Sequence, residues 1–198
     1  MNVRCIAQEI LDHVQSSHHW PTDSRGFKSD DDFAAFYTAR YLIEDCELAI
    51  DEQMEDGISG SYGLAYVQVF GLLQSVFVQQ DSITALRFVV GCSENAGKVQ
   101  GFGGAWKEIR DLRNRITGHP ICQGNSSLKR RSFLSRSELP RALKKLKYQT
   151  YSNPTGDFSN VSRAISYHEV DLSDLISRYR RQSTCILYCT LREIRKQW

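Results

Sequence analysis

The chain has no apolar run of membrane-spanning length, so nothing in it reads as a bilayer-crossing helix. Its first residues, MNVRCIAQEILDHVQ, mix charged and apolar positions and lack the unbroken apolar core of a secretory signal. A cytoplasmic protein with no membrane partner is the expectation. Six cysteines stand at 5, 46, 92, 122, 185 and 189, with no C-x-x-C pair among them. In a reducing compartment these read as buried thiols, not as a disulfide framework.

Other absences narrow the chemistry. His13, His18 and His19 are close in sequence, but no H-E-x-x-H spacing or paired-cysteine motif accompanies them, so no metal and no cofactor are expected. A serine triad has no anchor, because G-x-S-x-G does not occur. The stretch from Gly91 to Val99 departs from a phosphate-binding loop. It has one residue too many between its glycines, and Val99 stands where a magnesium-binding hydroxyl is needed. Gly101-Phe102-Gly103-Gly104 lacks the third glycine of a dinucleotide fingerprint. Both read as loops. There is no internal repeat and no low-complexity tract.

What is present describes one helical domain over residues 1–198. Val3, Ile6, Ile10 and Val14 step by three and four, the signature of an amphipathic helix. After a loop over 16–29, Asp30, Asp31 and Asp32 offer caps and negative charge to a helix N-terminus. Phe36, Ala39, Ile43, Cys46, Ile50 and Met54 then mark the buried stripe of a long helix ending near Gly57. Residues 59–61 are a turn. From Tyr62 to Val78 the pattern is apolar nearly all round, which predicts a central helix surrounded by others. Asp81 or Ser82 would begin a further short helix through Ile83, Leu86 and Val90.

The stretch WKEIRDLRNRITGHP, Trp106 to Pro120, is the expected centre of function. Trp106, Ile109, Leu112 and Ile116 fall on one helical face, while Arg110, Arg113 and Arg115 fall elsewhere. Gly118 and Pro120 stop the helix, leaving His119 at or just past its C-terminus. Beyond it, Ser132–Arg136, Leu146–Tyr151 and Val161–Val170 alternate enough to suggest two or three strands, with a turn at 153–157. Asp171 or Ser173 caps a last long helix carrying Leu172, Ile176, Tyr179, Leu187, Leu191, Ile194 and Trp198 inward. The expected fold is thus all-α, a bundle of four or five main helices. A small, basic, β-like insertion over about 121–170 precedes the last of them.

Charge is unevenly spread. Residues 30–56 hold ten carboxylates and one base, Arg40, whereas residues 129–147 hold eight bases and one acid, Glu138. Such a split can steer a polyanion to one side, although a solvated basic face looks the same and charge alone names no partner. Spacing alone is similarly open at the motif, since a histidine at a helix C-terminus also answers the helix dipole.

Arg113-Asn114, four more residues and His119 resemble the signature of the HEPN superfamily (higher eukaryotes and prokaryotes nucleotide-binding domain). That signature is an arginine, a polar residue, a short spacer and a histidine near the end of a late helix in a helical bundle. The basic insertion has no counterpart in the minimal domain. Ile121 also stands where one antitoxin-paired toxin subgroup has tyrosine, two residues after the histidine.

The resemblance implies a metal-independent endoribonuclease, of a toxin or phage-defence type, with RNA as substrate and an antitoxin or other regulatory partner. Arg113 and His119 would be catalytic and Asn114 supporting. The residue types suit cleavage through the ribose 2′-hydroxyl, which needs a base that titrates near neutrality and a planar cation for two phosphate oxygens. Lys129, Arg130, Arg131, Lys144, Lys145 and Lys147 of the insertion would hold RNA phosphates. Positions six apart lie about 240° around a regular helix, so Arg113 and His119 would not share a face. The homodimers common in the superfamily would resolve this with a site built from both copies. A HEPN-like module that binds nucleotide, RNA or a protein without cutting is the second reading. A third is a helical adaptor, which would bury Arg113 against a carboxylate such as Glu44 or Asp45.

Overall fold

The computed structural model describes residues 2–17, 27–58, 60–92, 103–118, 130–135, 145–152 and 165–197. Among them, helix α1 (Val3–Ser17) buries Val3, Ile6, Ile10 and Val14, the stripe its periodicity marks, together with Ala7 and Leu11. Helix α2 (Asp30–Asp56) starts on Ser29, whose hydroxyl accepts the Asp32 N–H at 3.1 Å. The cap is therefore a serine. The three aspartates instead fill the first turn, where negative charge meets the positive end of the helix dipole. The helix ends at Gly57, whose φ of 74° is open to glycine without steric cost.

Ser61 caps helix α3 (Tyr62–Val89), and here the expectation of two helices fails. The chain runs unbroken through Asp81 and Ser82. The Ser82 hydroxyl donates back to the Val78 carbonyl at 2.8 Å within the helix, and Asp81 points outward to Arg110. The polar run that resembles a break, Gln79 to Ser82, is largely buried: only Asp81 is exposed. α3 is central along most of its length, yet Leu64, Tyr66 and Val67 near its start remain exposed.

Helix α4 (Ala105–Arg113) passes straight into a five-residue π-helical turn, Asn114–Gly118. Three strands follow: β1 (Arg130–Leu134), β2 (Leu146–Ser152) and β3 (Ile165–Val170). They form one antiparallel meander in the order β1-β2-β3, with Leu134 opposite Tyr148 and Tyr148 opposite His168. Helix α5 (Leu172–Gln197) begins where Asp171 accepts the Asp174 N–H at 2.9 Å, as the capping pattern predicts.

The helices share one core. Phe36, Ile43 and Ile50 of α2 pack with Leu73, Val76, Ile83 and Leu86 of α3, and with Tyr179, Leu187 and Leu191 of α5. Strand alternation turns Leu134, Leu146 and Tyr148 into the same cluster, so the sheet lies against the bundle by one face and leaves the other to solvent. α4 and α5 run antiparallel: Gly103 meets Gln182, while Glu108 meets Arg178. The insertion consequently leaves and rejoins the bundle at one end of this pair. No helix among the described residues is long and apolar enough to cross a membrane.

Candidate functional site

α4 is held in place by its backbone as much as by its apolar face. The Trp106 N–H donates to Gln182 of α5 at 3.0 Å, and the Trp106 carbonyl accepts from Gln80 of α3 at 2.9 Å. Trp106, Ile109, Leu112 and Ile116 are buried, as their spacing predicts. This fixes which way the arginines point. The π turn then adds a break in helical register straight after Arg113, a rare feature that concentrates at functional sites.

The three arginines have different partners. Arg110 lies 2.8 Å from the Asp81 carboxylate and over the Phe77 ring, so its charge is matched. Arg113 donates from Nε and Nη2 to the Gln74 side-chain oxygen, at 3.3 and 3.0 Å. Its Nη1 donates to the Asn114 side-chain Oδ1 at 3.1 Å, and its guanidinium lies 4.0 Å from the Phe77 ring centre. Arg115 donates to the Tyr148 hydroxyl at 3.2 Å. Among the described residues no carboxylate comes within ion-pair distance of Arg113 or Arg115. Neutral oxygens and an aromatic face orient the Arg113 fork without cancelling its charge.

Arg113 and Asn114 are thus brought together, but His119 lies outside the described residues, as do Lys129 and Lys144. Arg130 and Arg131 are placed in β1 by backbone register alone, opposite Ser152 and Tyr151. Lys145 and Lys147 converge on one carboxylate, Glu169, at 3.0 and 3.8 Å. Of the two carboxylates named for an adaptor, Glu44 and Asp45, the first pairs with Arg40 at 2.8 Å.

Sequence reasoning did not find Gln74 or Phe77 as partners of Arg113. Phe77 reads as core in the apolar pattern, and only the crossing of α4 over α3 turns its ring toward a guanidinium. Nor did it find the chain of groups behind Arg115. Tyr148 stacks on His168 with ring centres 4.8 Å apart, and the His168 Nε2 lies 2.8 Å from the Thr150 hydroxyl. The buried thiols are not candidate nucleophiles. Burial, with Asp45 and Glu47 nearby, pushes the Cys46 thiol up to about 11, and burial beside Glu193 pushes Cys92 up to about 12. No group of three histidine, cysteine or carboxylate side chains converges on a point among the described residues.

Among the described residues these elements define a class by architecture: a five-helix bundle carrying a three-stranded antiparallel sheet between its fourth and fifth helices, with an arginine that meets no carboxylate where the fourth helix ends. Compared with protein-family models, with curated proteins and with solved structures, the chain matches none.

Proposed function

We propose that this protein is a HEPN-like, homodimeric, metal-independent endoribonuclease of a toxin or phage-defence type, with Arg113 and His119 as its catalytic groups and Asn114 in support. The observation that carries the reading is the state of Arg113. It stands at a helix end with its fork oriented by Gln74, Asn114 and Phe77 and with no carboxylate against it among the described residues. A structural arginine in a helical adaptor is expected to pair with an acid, as Arg110 does with Asp81. An oriented guanidinium with its charge uncompensated suits a phosphate.

In the reaction, His119 takes the proton of the ribose 2′-hydroxyl and the 2′-oxygen attacks the adjacent phosphorus. The bond from phosphorus to the 5′-oxygen breaks, that oxygen takes a proton from water, and His119 returns the proton it holds to solvent. The products are a 2′,3′-cyclic phosphate and a 5′-hydroxyl. Arg113 stabilises the charge on the crowded phosphate, with its fork spanning two oxygens. Asn114 ties to that fork. Lys145, Lys147 and the other bases of the insertion draw the strand in, so binding weakens steeply with salt.

The test is RNA cleavage in excess EDTA by wild type, Arg113→Ala and His119→Ala, each checked for folding by circular dichroism and for size by sedimentation. Metal-independent cutting by a wild-type dimer and none by either folded variant is the expected result. RNA or nucleotide binding without cutting would replace the nuclease with a binding module of the same fold, and neither binding nor cutting would leave a helical adaptor.

A further inference from the structure

The solvent face of the sheet carries a feature that the arginine site does not use. Phe133, Gln149 and Tyr167 form one cross-strand row: Phe133 is opposite Gln149, and Gln149 is opposite Tyr167. Strand spacing sets the two aromatic positions about 10 Å apart with the amide between them. Both rings are open to solvent, Phe133 48% exposed and Tyr167 75% exposed. The Gln149 side chain makes no hydrogen bond among the described residues. A cleft of about 750 Å³ runs from Gln149 and Phe133 to Tyr62 and Tyr66 at the start of α3. A second, of about 320 Å³, shares Gln149 with it and continues past Tyr167 to Lys147. The two clefts adjoin at Ser135 and Gln149 as one trough, aromatic along its length, with Lys147 and Glu169 at one edge.

We propose that this trough is the subsite for single-stranded RNA, with unpaired bases stacked on Phe133 and Tyr167 and a base edge read by the Gln149 amide. Aromatic faces accept any base by stacking, and an amide both donates and accepts to a base edge. A duplex keeps its bases stacked on each other and offers neither ring a partner. Lys145 and Lys147 stand at that edge beside Glu169, at 3.0 and 3.8 Å, where their ammonium groups can also meet phosphates. The trough also leads to the motif. Tyr66, Phe70, Gln74 and Phe77 lie along one stripe of α3; Tyr66 lines the trough, while Gln74 and Phe77 hold Arg113. Eight residues of helix separate Tyr66 from Gln74, about 12 Å, short enough for one strand to touch both.

This subsite deepens the ribonuclease reading and rests on it for the identity of the strand. Its test uses fluorescein-labelled 2′-O-methyl RNA, which binds without being cut, as a short single strand and as the matching duplex. Anisotropy titrations at fixed salt compare wild type with Phe133→Ala, Tyr167→Ala, and Tyr167→Phe, which keeps the ring. The expected result is a preference for the single strand, about a 5- to 150-fold loss of single-strand affinity for each alanine variant, and retention in Tyr167→Phe. Equal affinity for strand and duplex, or alanine variants that bind like wild type, would overturn the subsite, and continued cleavage of ordinary RNA would show that the ribonuclease reading survives it. If wild type neither binds nor cuts, both fall. A dimer that both alanine variants dissociate in sedimentation would assign this face to a second copy and overturn the subsite as well.

Discussion

The Tyr179 hydroxyl donates to the side-chain oxygen of Gln79 at 2.8 Å across the middle of the bundle, and neither residue has any solvent exposure. The same Gln79 amide donates from its nitrogen to the Ile43 carbonyl at 3.0 Å and to the Glu47 carboxylate at 2.9 Å. One glutamine therefore ties α2, α3 and α5 together at a point water cannot reach. A buried amide left half-satisfied costs far more than its bonds contribute when complete.

Tyr179→Phe keeps the ring and leaves the Gln79 oxygen without a donor. The expected loss is about 1 to 3 kcal/mol, read as a lower urea midpoint with an unchanged slope. A midpoint equal to wild type would mean that the amide finds another partner.

Gln74 orients Arg113 without a charge of its own, so it is a positioning residue in the proposed reaction. Gln74→Leu should leave folding intact and lower RNA cleavage by about 10- to 100-fold, because a fork free to turn no longer spans two phosphate oxygens. The fall should appear in kcat more than in KM, and Gln74→Glu should be worse still, since it cancels the charge. Cleavage unchanged in Gln74→Leu would detach this contact from catalysis.

Alkaline pH should destabilise the protein through two thiols. Folded Cys46 titrates at about 11 and Cys92 at about 12, against an ordinary 9.0. Between pH 9 and those values the unfolded chain loses protons that the folded chain keeps, so stability falls as pH rises through this window. Below it the contribution is complete and flat. Each thiol adds a slope of roughly 1 kcal/mol per pH unit, and Cys46→Ser should make the decline visibly shallower in urea denaturation across the window. An equal slope in both proteins would remove Cys46 from the account.

Much of the fold is legible as periodicity. The stripes through Val3 to Val14, Phe36 to Ile50 and Leu172 to Ile194 are buried as written, because each helix has one face to hide and solvent on the other. α3 misleads for a physical reason. Gln79 and Gln80 are polar yet buried, linking helices through hydrogen bonds, and a one-dimensional pattern reads such residues as the end of a segment. The strands are found, the first reaching back to Arg130, two residues before its expected start, since pairing partners and not composition decide where a ladder starts; residues 161–164 of the expected last strand lie outside the described residues. At the site, Arg113 and Asn114 announce themselves by their place at a helix end. Their supports do not. Gln74 lies 39 residues away, and nothing in its neighbourhood distinguishes it until α4 crosses α3.

The parallel packing of the first and last helices bears on how the protein is made. α1 finds its neighbours in α2 and α5, and Glu9 of α1 pairs with Arg195 of α5. The hairpin of α2 and α3 is local and can close while synthesis continues, but the apolar stripe of α1 cannot be fully covered until α5 leaves the ribosome. At ordinary elongation rates that interval is on the order of ten to thirty seconds. For that long an amphipathic helix with Ile6 and Ile10 on its face is a natural client for a chaperone.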